Sequence, residues 1–197
     1  QWIGMARGSR LAHEFDITEV LVPGENTVTL RVHQFSAGSY LEDQDQWWLP
    51  GVFRSVSLRY LPAFSIEDLW INTDYEAGQG FATLELRVRG AQSETLEANL
   101  DIEGLGASTL TLARGEDGRY RSENIGLGTV QPWSPQSPKL YAARVQAVGE
   151  GGRLTEERHL RLGFRRVEIV DGVLHANGHP LTLNGVNRHE IRADEGR

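Results

Sequence analysis

Residues 39–56 read SYLEDQDQWWLPGVFRSV, a short run that holds three acids, two adjacent tryptophans and a Pro-Gly turn. Carboxylates accept hydrogen bonds from hydroxyls and bind hard cations through oxygen. Indole rings offer apolar area with one polar edge. Glu42, Asp43, Asp45, Trp47 and Trp48 therefore supply both chemistries that a sugar-like, hydroxyl-rich ligand needs. On residue types alone the plainer account is favoured, with the acids on a solvated loop and the tryptophans in the core beside it.

The same run closely resembles the signature of glycoside hydrolase family 2, in its large bacterial β-galactosidase branch, where Y-L-E-D-Q-D-x-W is followed by G-[IV]-F-R-x-V-x-L. Residues 40–47 and 51–58 carry those two halves here. Glucuronidase and mannosidase relatives share the second half much better than the acidic first half, so the acidic half points to galactosides. Upstream, SRLAHEFDIT (9–18) and GEN (24–26) resemble the family's sugar-binding domain. Downstream, PWSPQSPKLY (132–141), GFRRVEI (163–169) and NGHPLTLNGVNRHE (177–190) resemble the end of its middle domain and the start of its barrel. The matches run in order along nearly the whole chain and outweigh the plainer account.

The resemblance implies retaining hydrolysis of terminal β-galactosides such as lactose by two glutamates about 5 Å apart, one protonating the leaving oxygen and one attacking the anomeric carbon. Both would lie on later barrel strands, so no catalytic residue is expected in this chain and the isolated piece is expected to be inactive. Asp45 corresponds to the residue that reaches the sugar's 6-hydroxyl and helps ligate a sodium ion. His189 corresponds to one that hydrogen-bonds a ring hydroxyl and steadies the transition state. Without the resemblance, His189 is one of six histidines and reads as a surface loop residue. Sodium and magnesium are the implied cofactors of the full enzyme, neither held completely by these residues. Ala37 and Arg7 stand where many relatives have Asp and Gln, which removes a peripheral magnesium site. After N-R-H-E the chain continues Ile191-Arg192-Ala193, where many relatives have further His and Pro.

Other chemistries fit less well. Glu156 and Glu157 form a tempting pair, but neighbours on a strand point to opposite faces, and they read as solvated or edge-strand charges. His175, His179 and His189 could be named as zinc ligands, yet Asn177-Gly178 breaks the i,i+4 spacing of the first two. The rival readings are a non-catalytic carbohydrate-binding or scaffold β-sandwich and a β-glucuronidase-like relative. NGVNRHE after a Gly-Phe-Arg junction has no purpose in a binding module.

What must hold these residues is β structure. Apolar residues alternate over short runs punctuated by Gly, Pro, Asn and Asp, as at Val28, Leu30 and Val32, at Leu84, Leu86 and Val88, at Leu100 and Ile102, at Val145 and Ala147, and around Leu160 and Leu162. An all-β fold follows, with turns such as Glu116-Asp117-Gly118 suiting a sandwich. Residues 1–61 are expected to be the C-terminal strands of a jelly-roll sugar-binding domain, with their sheet partly unpaired. Residues 62–165, after a linker at Pro62, are expected to be an immunoglobulin-like sandwich. Residues 166–197 would start the catalytic (β/α)₈ barrel, with type I′ turns at Asp171-Gly172 and Asn177-Gly178, then a first barrel strand over about 181–186. Asn187, Arg188, His189 and Glu190 would follow at the strand's C-terminal end, where catalytic groups collect in such barrels.

A chain of 197 residues is too short for that barrel, which needs about 250 on its own. It starts at Gln1-Trp2 without Met or signal peptide and stops in DEGR, so an excised internal piece is expected. No run approaches the roughly 20 apolar residues of a membrane span, and there is no cysteine for a disulfide framework. A net charge of -7 and pI near 5.4 argue against nucleic acid, which demands a basic face. The expected partners are a galactoside substrate and, for the longer protein, further copies of itself, in a cytoplasmic setting with secretion left open.

Overall fold

Ala82, Leu84, Leu86 and Val88 are all buried while the residues between them are partly or fully exposed, the period-2 signature of a strand with one face on a core. They lie on β2 (Gln79–Arg89), which a two-residue turn joins to β1 (Ser65–Glu76). Ala77 and Gly78 form that turn with φ of 48° and 83°, the left-handed pair a type I′ hairpin requires. The structure, a computed structural model, describes residues 1–8, 11–41, 51–52 and 54–187. Contacts divide the chain into one unit of Arg59–Asn184 and another of Gln1–Leu58 with Gly185–Arg197.

In the larger unit six more strands follow: β3 (Thr95–Ile102), β4 (Gly106–Arg114), β5 (Tyr120–Ser122), β6 (Ile125–Thr129), β7 (Tyr141–Val148) and β8 (Arg158–Leu162). All pairings are antiparallel, in the order β1-β2-β5-β4-β3-β7-β8, with β6 joining β5 on the second edge of β2. The sheet curls until its ends meet, since the Arg158 guanidinium on β8 donates to the Ile66 carbonyl on β1 at 2.9 Å. Leu84, Leu86, Leu100, Ile102, Val145 and Ala147 point into the enclosed core, as their alternation predicts, together with Leu112 and Tyr120. Glu116 and Asp117 form the expected turn, closed by Gly118 N–H donating to Gly115 O at 2.9 Å. Glu156 and Glu157 sit in the loop before β8, paired with Arg158 and His159 respectively.

The lead-in to β1 is fixed at two points. The Ser65 hydroxyl, fully buried, donates to Pro62 O at 2.9 Å. Gly90 has φ of 75°, and a Cβ there would lie 2.2 Å from the Ala63 carbonyl oxygen. Only glycine meets both conditions.

A separate three-stranded sheet follows in the order β11-β10-β9: β9 (Val167–Val170), β10 (Val173–Ala176) and β11 (His179–Pro180). Its two turns are the type I′ pairs expected from the sequence, with φ of 51° and 78° at Asp171-Gly172 and 53° and 79° at Asn177-Gly178. His175 and His179 lie on its adjacent strands β10 and β11, and the His175 Nδ1 is 3.0 Å from Val173 O.

Two expected strands are absent from the described residues. In 1–58 the only regular elements described are 3₁₀ turns at Thr18–Val20 and Ala37–Tyr40, and the alternating Val28, Leu30 and Val32 lie in no ladder and are more than half exposed. Residues 181–187 likewise form no strand. In both places the side-chain pattern is right, but no neighbouring strand among the described residues takes the backbone hydrogen bonds, without which extended chain does not persist as sheet. Among the described residues no helix is long and apolar enough to cross a membrane.

Candidate functional site

Asp45 and His189, the two expected ligand-binding residues, lie outside the described residues, as do Glu42, Asp43, Trp47, Trp48, Arg188 and Glu190. The described chain shows what leads up to each of them. On the Asp45 side, the Ala37–Tyr40 turn is closed locally, with Ser36 N–H donating to the Ser39 hydroxyl at 3.0 Å and Ser39 N–H to Ser36 O at 3.1 Å. Ala37 opens that turn, and Tyr40 at its end and Leu41 after it are exposed. The upstream GEN run is a turn lock: Gly24 has φ of 97°, and the Asn26 carboxamide accepts from Val22 N–H at 3.0 Å while donating to Val22 O and Gly24 O.

On the His189 side, the chain reaches Asn187 from β11 by way of an exposed stretch, and Leu181 N–H donates to Leu174 O at 2.8 Å as that stretch leaves the sheet. This small sheet is fastened to the sandwich around the GFRR run. Thr73 Oγ1 donates to Gly163 O at 2.8 Å, and Trp133 N–H to Phe164 O at 2.8 Å. Arg165 lies over the Trp133 ring, 5.1 Å from its centroid. Arg166 turns to β1 instead, where Nε donates to Asp74 Oδ1 at 3.0 Å and Nη2 to Asp74 Oδ2 and to Glu76 Oε2, the last at 3.1 Å. Hydrogen bonding from Arg166 holds the Asp74 carboxyl below its ordinary value against the opposing pull of burial, and the two acids push the Arg166 guanidinium up.

Asn177 completes the fastening from the turn. Its N–H donates to Arg166 O at 2.8 Å, its Oδ1 accepts from Arg166 N–H at 2.9 Å, and its Nδ2 donates to Trp133 O at 2.9 Å. The sequence marks Asn177 as a turn residue and gives no sign of the Asp74 pairing, because Asp74 and Arg166 are 92 residues apart.

Elsewhere the charged clusters serve the sandwich. Arg119 lies 4.1 Å over the Trp70 ring and pairs with Glu85 and Asp68, while Arg121 bridges Glu85 and Asp117. The Arg121 hydrogen bond holds the Asp117 carboxyl well below the usual carboxylate range. These pairs pin the Gly115–Arg119 turn to the outer face of β2. Among the described residues no cluster of His, Asp and Glu is arranged to hold a metal ion.

The family profile described as glycosyl hydrolases family 2, sugar binding domain, matches residues 1–62, and the profile described as glycosyl hydrolases family 2 matches residues 64–165, just over half of the chain. The chain belongs to glycosyl hydrolases family 2. Its sequence relatives in that family include the beta-galactosidase of Arthrobacter sp. (strain B7), 43% identical over 195 residues that make up 99% of this chain and 18% of the relative. The beta-galactosidase of Photobacterium profundum is 37% identical over 206 residues, covering 99% of this chain and 20% of the relative. The chain thus spans about a fifth of the length of these relatives.

Two solved beta-glucuronidase structures share the fold. The apo structure of Bacteroides uniformis beta-glucuronidase 3 superposes with a TM-score of 0.56 at 25% identity, over 75% of this chain and 18% of that one. Bifidobacterium dentium beta-glucuronidase gives 0.56 at 21% identity, over 68% and 23%. The second profile ends at residue 165, one residue before Arg166, whose partners Asp74 and Glu76 lie within the matched region.

Proposed function

We propose that this chain is one portion of a longer retaining β-galactosidase and that it contributes the outer part of the galactose pocket rather than the catalytic glutamates. The observation that carries this reading is the acidic run YLEDQDQW at 40–47, set in a chain that is 37–43% identical from end to end to proteins named beta-galactosidase. The glucuronidase alternative rests on fold likeness at 25% identity or less. Charge also speaks against it, because a glucuronide carries a carboxylate at C6 where galactose carries a neutral hydroxymethyl. A run with Glu42, Asp43 and Asp45 repels the former and can accept a hydrogen bond from the latter.

In this reading Asp45 accepts the 6-hydroxyl and shares a sodium ion, which suits the hard oxygen donor of a carboxylate. His189 hydrogen-bonds a ring hydroxyl. A magnesium ion of the longer protein is assigned no ligand in this chain, since Ala37 and Arg7 lack the oxygens that relatives offer. Further copies of the longer protein are its expected partners. A cytoplasmic setting is part of the same reading, with secretion left open. The isolated 197-residue chain is expected to release no nitrophenol from a nitrophenyl galactoside above buffer background.

The test uses the full-length protein carrying Asp45→Asn, which keeps shape and removes charge. A hydrogen bond to a charged group is worth about 1.5–3 kcal/mol, so galactoside turnover or binding is expected to fall roughly 10- to 150-fold, with sodium dependence weakened in parallel. An arabinoside, which lacks the 6-hydroxymethyl group, is expected to lose less. Equal losses on both substrates with an unchanged sodium response would make Asp45 a structural acid.

A further inference from the structure

The strand edges of the larger unit differ in how they are guarded against further pairing. β1 has a register shift between Ile66 and Asp68, four acids along its length, and an Ile66 carbonyl already taken by Arg158. β8 carries Arg158, His159 and Arg161, and β6 is a strand of five residues broken by Gly126 and Gly128. Charge, irregularity and shortness are the usual means of keeping an edge from pairing. The first half of β4, GASTL at 106–110, has none of them. Its register with β3 is unbroken, it holds no charged residue or proline, and Gly106, Ala107, Ser108 and Thr109 are exposed. Arg114 N–H donates to Glu94 O at 2.8 Å where the β3–β4 ladder ends, and bonded pairs alternate along an antiparallel ladder. Gly106, Ser108 and Leu110 therefore turn their backbone groups to β3, and Ala107 and Thr109 turn theirs to the open side. β5 pairs along that side only from Leu112 to Arg114. The N–H and C=O of Ala107 and Thr109 thus meet no strand among the described residues, and such a row is a template for another chain.

We propose that this strip is a self-association surface, on which two copies of the chain pair their β4 strands antiparallel about a two-fold axis at Ser108. Ala107 of each copy then exchanges both backbone hydrogen bonds with Thr109 of the other, and the two Ser108 side chains stand opposite each other. Pairing identical strips satisfies the open groups of both chains at once. Charge favours it as well: copies with a net charge of -7 repel in general, but GASTL sets no charge opposite its twin. Length selects a second copy over a longer strand. An incoming strand that continued past Leu110 would run into β5 at Leu112, whereas the copy's own chain leaves at Gly106, with φ of 96°, into the turn at 103–105. So short a strip buries well under the roughly 1,200 Å² of a stable interface, so the pairing is weak in the isolated chain, with a Kd between about 10 μM and 1 mM. The inference is independent of the galactosidase reading.

The experiment is sedimentation equilibrium on the 197-residue chain, from micromolar concentration up to about 1 mM, the weak end of the expected range. A monomer–dimer equilibrium is expected. Ser108→Lys and Ser108→Glu each put like charges face to face across the axis, where side chains of an unbonded pair stand closest, and are expected to weaken dimerisation at least about tenfold. An equal mixture of the two variants turns that repulsion into attraction and is expected to recover the native strength or exceed it. Ser108 is exposed and its backbone groups face β3, so both variants are expected to keep the native unfolding midpoint. Ala107→Pro removes an N–H that serves only the open side, and is expected to weaken dimerisation without introducing charge. A native chain that stays monomeric at the highest concentration would overturn the inference. So would association that the Ser108 and Ala107 variants leave untouched, which would belong to another surface. Weakening by both charged variants with no recovery in their mixture would overturn the two-fold pairing.

Discussion

Residues 27–32 read TVTLRV and residues 83–88 read TLELRV, nearly the same string with the same alternation. The second is the middle of β2, with Leu84 and Leu86 at most 1% exposed, Val88 buried beside them, and strands on both edges. The first forms no strand, and its Leu30 is 55% exposed. Local propensity is therefore equal in the two and decides nothing. What differs is the company: β2 has β1 on one side and β5 and β6 on the other, while 27–32 has no described ladder. A period-2 pattern states which face a strand would bury, and other segments determine whether it becomes a strand.

The sharpest way to break this comparison is to truncate matching leucines in the isolated chain. Leu86→Ala removes a fully buried side chain and is expected to cost about 2–5 kcal/mol in denaturant unfolding, whereas Leu30→Ala is expected to stay within about 0.5 kcal/mol. Comparable losses would show that 27–32 packs in solution as 83–88 does.

Two turn asparagines extend the contrast at smaller scale. Asn177→Ala loses both side-chain hydrogen bonds and puts alanine at a φ of 53°, for an expected cost of about 1–3 kcal/mol. Asn177→Gly loses the bonds without the strain and separates the two contributions. Asn26→Ala, which also loses its turn bonds, is expected to change unfolding by less than about 0.5 kcal/mol because the loop it closes supports no packed element among the described residues.

The smallest effect is electrostatic. Asp74 is 44% exposed at its side chain, so its pairing with Arg166 is worth no more than about 1 kcal/mol. Its carboxyl titrates lower in the folded chain than in the unfolded one, so the unfolded chain takes up the proton first on acidification. The stabilisation is therefore fully present above the unfolded value near 3.9 and lost as pH falls through the lowered folded value. The stability difference between the native chain and Asp74→Asn is expected to be flat above about pH 5 and to shrink below about pH 4. A difference that grows on acidification would refute the assignment of Asp74 as the anionic partner.

Much of the larger unit is legible in its sequence. The alternations at 84–88, 100–102 and 145–147 mark inward faces, and Asp-Gly and Asn-Gly mark two tight hairpins. The Ala77-Gly78 turn was not legible, since alanine has no preference for positive φ and takes it because the β1–β2 ladder on both sides demands it. Nor was the Arg166 clamp, which depends on distant parts of the chain brought together by the curl of the sheet. The candidate site was legible in a different way: Asp45 and His189 stand out through a family motif, and both lie outside the described residues. The roles proposed for them rest on that motif alone, and local patterning of apolar and polar residues carries no information about them.

Gly90 has a consequence for inheritance. Any single-base change in a glycine codon that alters the residue without ending the chain introduces a Cβ, and at this position a Cβ meets the Ala63 carbonyl oxygen at 2.2 Å in a backbone conformation that already disfavours one. The codon therefore has no mild missense step available to it. Position 90 can be left only by a damaging step, which keeps the lead-in close against the end of β2.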